Sequence, residues 1–207
     1  MLKLATIINK TVTRKGVVLI PVFAVGRAQE LLYYIHLLKA SGAIADNIPV
    51  YLNSPMAVDA TAIFTKHRGE HRLSKEECAA LNRTAHIINS VEESRALNQM
   101  KGPMIILSAS GMASGGRVVH HLKAFAPKSN NTILFAGFQA AGTRGAALVD
   151  GAKEIKIHGE YVPVRARVEI ISNLSAHADY LETIDWLRGF ESAPRNTFIV
   201  HGEPLAV

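Results

Sequence analysis

The chain has 207 residues, 48% of them hydrophobic and 19% charged, an ordinary globular composition that excludes a disordered chain. A single cysteine, Cys78, excludes a disulfide framework and a Cys-rich zinc module, so a reducing cytoplasm is the expected compartment. The net charge of +6 concentrates in residues 1–40 (six basic, one acidic) and 101–150 (five basic, one acidic), which permits a polyanionic partner without requiring one.

Leu4, Ile7, Ile8 and Val12 share one face of a helix that begins almost at Met1 with no N-cap residue, as expected of a piece of a longer protein. Met1–Thr6 does not read as a secretory signal, and no apolar run nears the roughly 18 residues of a membrane helix. Val17–Val22 is a continuous apolar run, the pattern of a strand buried on both faces of a parallel sheet. A helix over Ala28–Lys39 follows, then a strand at Ile48–Leu52 and a helix at Val58–Lys66. Ser74 with Glu77 and Ser90 with Glu93 match the capping box, predicting helices near 75–82 and 91–100 with strand Ala85–Ile88 between them.

Strand Met104–Leu107, helix Gly116–Phe125 and strand Thr132–Ala136 come next. Glu154–Ile157 and Val164–Ile171 read as strands, Tyr180–Phe190 as a helix and Asn196–Val200 as a last strand. This alternation predicts an α/β fold with a largely parallel sheet flanked by helices.

In such sheets ligands bind beyond the carboxyl ends of the strands. The unusual residues fall there: Phe23-Ala-Val-Gly-Arg27, Asn53-Ser-Pro-Met56, the loop from Ser108 to Arg117, Gly137 to Arg144, and His201-Gly-Glu203. Ser108, Ser110 and Ser114 share one loop with three glycines, and small residues let backbone N–H groups approach an anion. Arg27, Arg117 and Arg144 are expected on the same rim. Neither a G-x-G-x-x-G nor a Walker pattern is present, which argues against a nucleotide-binding enzyme.

A zinc hydrolase needs about three or four N/O ligands in reach. The chain has no H-x-H, H-E-x-x-H or C-x-x-C motif. Adjacent His120 and His121 would point about 100° apart on a helix and cannot readily share a ligand. For His177 and His201, spacing leaves a structural role and a ligand role equally open.

Six segments in order carry a resemblance: Pro21-Val-Phe-Ala-Val-Gly-Arg-Ala-Gln-Glu-Leu-Leu32, Ser54-Pro-Met56, Ser108-Ala-Ser-Gly-Met-Ala-Ser-Gly-Gly-Arg117, Gly142-Thr143, Ser175-Ala-His-Ala-Asp179 and Val200-His-Gly-Glu203. Together the chain resembles the β-CASP family of metallo-β-lactamase-fold RNA-processing nucleases. The resemblance implies residues 1–150 as the β-CASP-like α/β domain. Residues 151–207 would be the C-terminal, incomplete segment of a metallo-β-lactamase αββα domain.

By resemblance, His177 would act beside the scissile phosphate and His201 would ligate one of two zinc ions. Arg27, Ser108, Ser110, Ser114, Arg117, Arg144 and Ser175 would hold RNA. The family's other zinc ligands lie upstream of the equivalent of Leu2, so this chain alone is expected to be inactive, with no complete zinc centre. The expected partners are single-stranded RNA and the upstream domain of the same protein, with a homodimer left open and no membrane. The alternative is a non-catalytic module that binds nucleic acid or protein.

Overall fold

The structure, a computed structural model, describes residues 1–172, 174 and 177–200. These fall in two compact units, Met1–Leu174 and a shorter one from Ser175 onward.

The first unit opens with α1 (Leu2–Thr13), which buries Leu4, Ile7 and Ile8 as its spacing predicts. The following strand, β1 (Val17–Pro21), is buried along its whole length. Next come α2 (Arg27–Ala40), β2 (Val50–Asn53), α3 (Pro55–Lys66) and a single 3-10 turn at Arg68–Glu70. Then α4 (Lys75–Thr84) and α5 (Val91–Gln99) flank the two-residue strand β3 (His86–Ile87). Both helices start with the expected capping boxes, Ser74 with Glu77 and Ser90 with Glu93. β4 (Met104–Ser108), α6 (Arg117–Phe125), β5 (Thr132–Ala136) and α7 (Arg144–Val149) follow. A β6 (Glu154–Ile157) and β7 (Glu160–Pro163) hairpin precedes β8 (Arg167–Ile171).

Six strands form one sheet in the order β3-β2-β4-β1-β5-β8, and every pairing in it is parallel. A parallel pair needs a crossover, which is why a helix follows nearly every strand. Side chains alternate between two cores. Val18 and Ile20 of β1 face α1 and α2, while Val17 and Leu19 face α6, α7 and the hairpin. With both faces covered, the central strands read as unbroken apolar runs.

Several expectations need correction. The strand predicted at Val164–Ile171 is shorter, and a strand not predicted precedes it. Glu160–Pro163 pairs with β6, and β8 starts only at Arg167 because Arg165 and Ala166 donate their N–H groups to Ala126 O. Helix α3 starts at Pro55 rather than Val58, since Ser54 caps it and Pro55 suits the first turn. The helix α7 has six residues, too few to show a period.

Residues 196–200 are not a strand. The apolar run supplies suitable residue types, but a strand also needs a ladder partner, and none is present among the described residues. In the shorter unit α8 (Tyr180–Arg188) is capped by Asp179, with Glu182 completing a capping box.

Candidate functional site

The carboxyl ends of the three central strands lie side by side, because Ser108 is in register with both Asn53 and Pro21. Ser108 Oγ donates to Asn53 O at 2.9 Å, and Val22 N donates to Ser108 O at 3.0 Å. The loops that leave these ends are therefore neighbours.

The central loop runs from Ala109 to Gly116. Val118 N closes it on Ala109 O, and Ser110 N and Ala113 N make bonds inside it. Gly116 has φ +75°, and a Cβ there would stand 2.6 Å from Ala109 O, so both conformation and space require glycine. Gly111 is also bound to its identity: a Cβ there would stand 2.7 Å from the Phe23 ring. The loop after β5 braces this one. Gln139 Nε2 donates to Gly111 O, Gly145 N to Met112 O, and Arg144 Nη1 to Ala113 O and Ser114 O.

Behind the loop lies a buried polar chain. Arg117 Nη1 donates to Asn53 Oδ1 at 2.7 Å and to Ile88 O at 3.0 Å, and Nη2 donates to Asn89 O. Asn53 Nδ2 donates to Ser94 Oγ at 2.8 Å and to His121 Nε2 at 2.7 Å. His121 therefore accepts at Nε2 and donates from Nδ1 to Asn98 Oδ1 at 2.6 Å, the tautomer fixed by its two amide partners. Burial lowers its pKa to about 4, with His120 and Arg117 adding to the effect. The adjacent histidines do diverge: His121 is buried, whereas His120 is exposed, its ring 4.7 Å from that of His158.

Among the residues expected to hold substrate, Ser108 requires correction: it is fully buried and bonded to the framework, so its hydroxyl does not face solvent. Arg117 uses its guanidinium on Asn53 and two carbonyls. Arg27 is ion-paired with Glu30 in the first turn of α2. Ser114 is exposed and Ser110 half-buried. Ser114 and Arg144 line an open cleft of about 480 Å³ with Thr143, Glu154 and Lys156, and Arg144 is held there by Nε donating to Lys156 O at 2.7 Å as well as by its Nη1 bonds to the loop. His177 is exposed, two residues before the Asp179 cap. Ser175 and His201 lie outside the described residues.

Asn98 lies outside every segment the sequence marks, whereas Asn53, His121 and Gln139 stand in or among the marked residues without the partners they have here. Among the described residues, no group of three or more His, Cys, Asp or Glu side chains is placed to hold a metal ion. The described part of the chain thus does not fit a metal centre, and no chemistry of a bound metal is assigned to it.

The Beta-Casp domain model matches residues 28–148, more than half of the chain, and the chain belongs to this family. A second model, described as a Zn-dependent metallo-hydrolase RNA specificity domain, matches residues 161–207.

Among curated relatives, ribonuclease TTHA0252 of Thermus thermophilus is 38% identical over 205 residues, covering 95% of this chain and 46% of the relative. Transcription termination factor FttA of Methanocaldococcus jannaschii is 36% identical over 215 residues, covering 97% of this chain and 33% of the relative. An RNase J-like protein of the same organism is 35% identical over 198 residues, covering 95% and 45%. The chain spans less than half the length of these relatives.

Proposed function

We propose that this chain is the RNA-holding part of a zinc-dependent ribonuclease that hydrolyses phosphodiester bonds in RNA processing or degradation. The observation that carries the reading is the strand-end edge of a Beta-Casp chain, where the loops after β4 and β5 bring Ser114 and Arg144 to one open cleft, with Ser110 half-buried in the first of these loops. Names of the relatives, two ribonuclease-like proteins and a termination factor, support RNA as the substrate class.

In this reading Arg27, Ser110, Ser114, Arg144 and Ser175 contact single-stranded RNA, largely at phosphates, which position a strand without reading its sequence. Ser108 and Arg117 act from behind by holding the loop that makes those contacts. The gap between the two model matches supports reading residues 151–207 as the segment that returns to a metallo-β-lactamase domain, although the hairpin and β8 pack with the first unit, whose boundary falls after Leu174. His201 would contribute one ligand to a pair of zinc ions in the complete enzyme. His177 would stand at the scissile phosphate, where an imidazole can donate a proton near neutral pH. The complete protein would work in the cytoplasm. No helix among the described residues is long and apolar enough to cross a membrane.

The test joins the chain to an upstream metallo-β-lactamase domain and measures cleavage of single-stranded RNA. Zinc-dependent cleavage, lost in His177→Ala and in His201→Ala, is expected. RNA binding without cleavage in the joined protein would make the chain a binding module instead. Arg27→Ala and Arg144→Ala should weaken RNA binding and flatten its salt dependence. Unchanged salt slopes would remove both residues from the contact surface.

A further inference from the structure

The opposite edge of the sheet, where the strands begin, carries a second concentration of charge. Lys15 precedes β1, Lys101 precedes β4 and Lys128 precedes β5. Their turns are pressed together. A Cβ on Gly102 would stand 2.5 Å from Gly16 O and 2.8 Å from Lys15 O, and one on Gly16 only 1.9 Å from Asn130 O. Asn130 Nδ2 also donates to Lys15 O at 3.2 Å. The close backbone approach brings the three lysines around one cavity of about 260 Å³, with Val17, Met100 and Phe125 as apolar lining.

No carboxylate lines this cavity, and none of the three lysines has an ion-pair partner among the described residues. Lys128 Nζ stands 5.3 Å from the centroid of the Phe125 ring. Arg165 and Arg167 enter β8 on the same edge, and Arg167 N donates to Asn131 O. Three lysines lining one cavity with no carboxylate among them give it a positive field, which favours an anion there. Val17 and Phe125 close the floor of the cavity almost out of reach, while Met100 is exposed at its mouth, and a thioether beside a cationic rim suits a ligand with a flat ring at one end and a phosphate at the other.

We infer that this cavity binds a phosphorylated nucleotide unit, its base against Met100 and its phosphate among Lys15, Lys101 and Lys128. The site is separate from the strand-end loops. It rests on the RNA-holding reading only for the source of the nucleotide, which is a unit of an RNA strand or a free nucleotide.

Two measurements on the 207-residue chain test it. The first is lysine-directed acylation with and without an end-labelled oligouridylate or uridine monophosphate. The second is anisotropy of the oligouridylate across a salt series with wild type, Lys101→Glu/Lys128→Glu and Lys101→Arg/Lys128→Arg. Shielding of Lys15, Lys101 and Lys128 by both ligands is expected. The charge-reversed pair should bind the oligouridylate about tenfold more weakly, with a salt slope lower by about 1.4, roughly 0.7 for each lost single-strand phosphate contact. The arginine pair should retain affinity and slope.

Shielding by the oligouridylate alone assigns the site to a strand and still supports it. Equal binding and slope in all three proteins, with the lysines fully reactive, overturns the inference while RNA binding stands. Shielding by uridine monophosphate without oligouridylate binding keeps the nucleotide site and sinks the RNA-holding reading. Absence of both sinks both.

Discussion

Arg117 and Asn53 are joined by a 2.7 Å hydrogen bond from Nη1 to Oδ1, which ties the first turn of α6 to the last residue of β2. Asn53 is fully buried, so its oxygen has no water to replace the guanidinium. Arg117→Ala should therefore destabilise the chain by about 2 kcal/mol, the scale of an orphaned buried acceptor. Asn53→Ala should cost a similar amount, and the double variant less than the sum, because both remove the same bond. Urea unfolding of the four proteins measures this, and strict additivity would show that the two side chains do not act as a pair.

Acid should loosen the same network through His121. Its unfolded imidazole takes a proton near pH 6.5, whereas burial holds the folded ring neutral down to about 4. The unfolded state binds more protons in that window, so the contribution is fully present above the unfolded value and is lost as pH falls toward about 4. Between about pH 7 and about pH 5 the loss is about 2 kcal/mol. His121→Gln, which cannot titrate, should show a correspondingly shallower fall in urea stability over that range.

Two adjacent glycines in the central loop should behave differently. Gly116→Ala forces a side chain onto φ +75° and against Ala109 O, at a cost of about 2 kcal/mol. A Cβ at Gly115 meets nothing within 4 Å, and its φ lies outside the left-handed range. Gly115→Ala should leave the melting temperature nearly unchanged. Equal effects at both positions would contradict the loop geometry.

The start of α5 offers a simpler case. Ser90 Oγ accepts from Glu93 N, and the Glu93 carboxylate accepts from Ser90 N and Asn89 N. Ser90→Ala should cost about 1 kcal/mol in thermal unfolding. The backbone bonds, first from Ser90 and then from Asn89, hold the Glu93 carboxyl below its ordinary range. Its contribution is present above the unfolded carboxyl value and is lost as pH falls through the lowered one. Glu93→Gln should blunt the acid sensitivity of helix content measured by circular dichroism.

The strand and helix alternation was legible because each central strand is apolar on both faces and each crossover helix has one apolar stripe. Capping boxes at Ser74 and Ser90 were legible because they are purely local. The site was legible only as a set of loops. His121 meets Asn53, 68 positions earlier in the chain, and no spacing rule joins an amide to an imidazole across that distance. Ser108 has the residue type of an anion-binding loop, yet its register between Asn53 and Pro21 buries it. Arg117 looked like a rim cation because its sequence neighbours are glycines, while carbonyls from the distant 88–89 turn claim its donors.

The strand order also governs how the chain must be made. In the sheet, β1 has only β4 and β5 as neighbours, and β2 has only β3 and β4. Val17 meets its register partner Met104 only after the 86 residues between them have been synthesised. At roughly 5–20 residues per second, the nascent β1 waits several seconds outside the ribosome with its backbone unpaired and its apolar side chains uncovered. Chaperone demand should therefore fall when residues 104–108 emerge, the point at which one strand gives partners to both halves of the sheet.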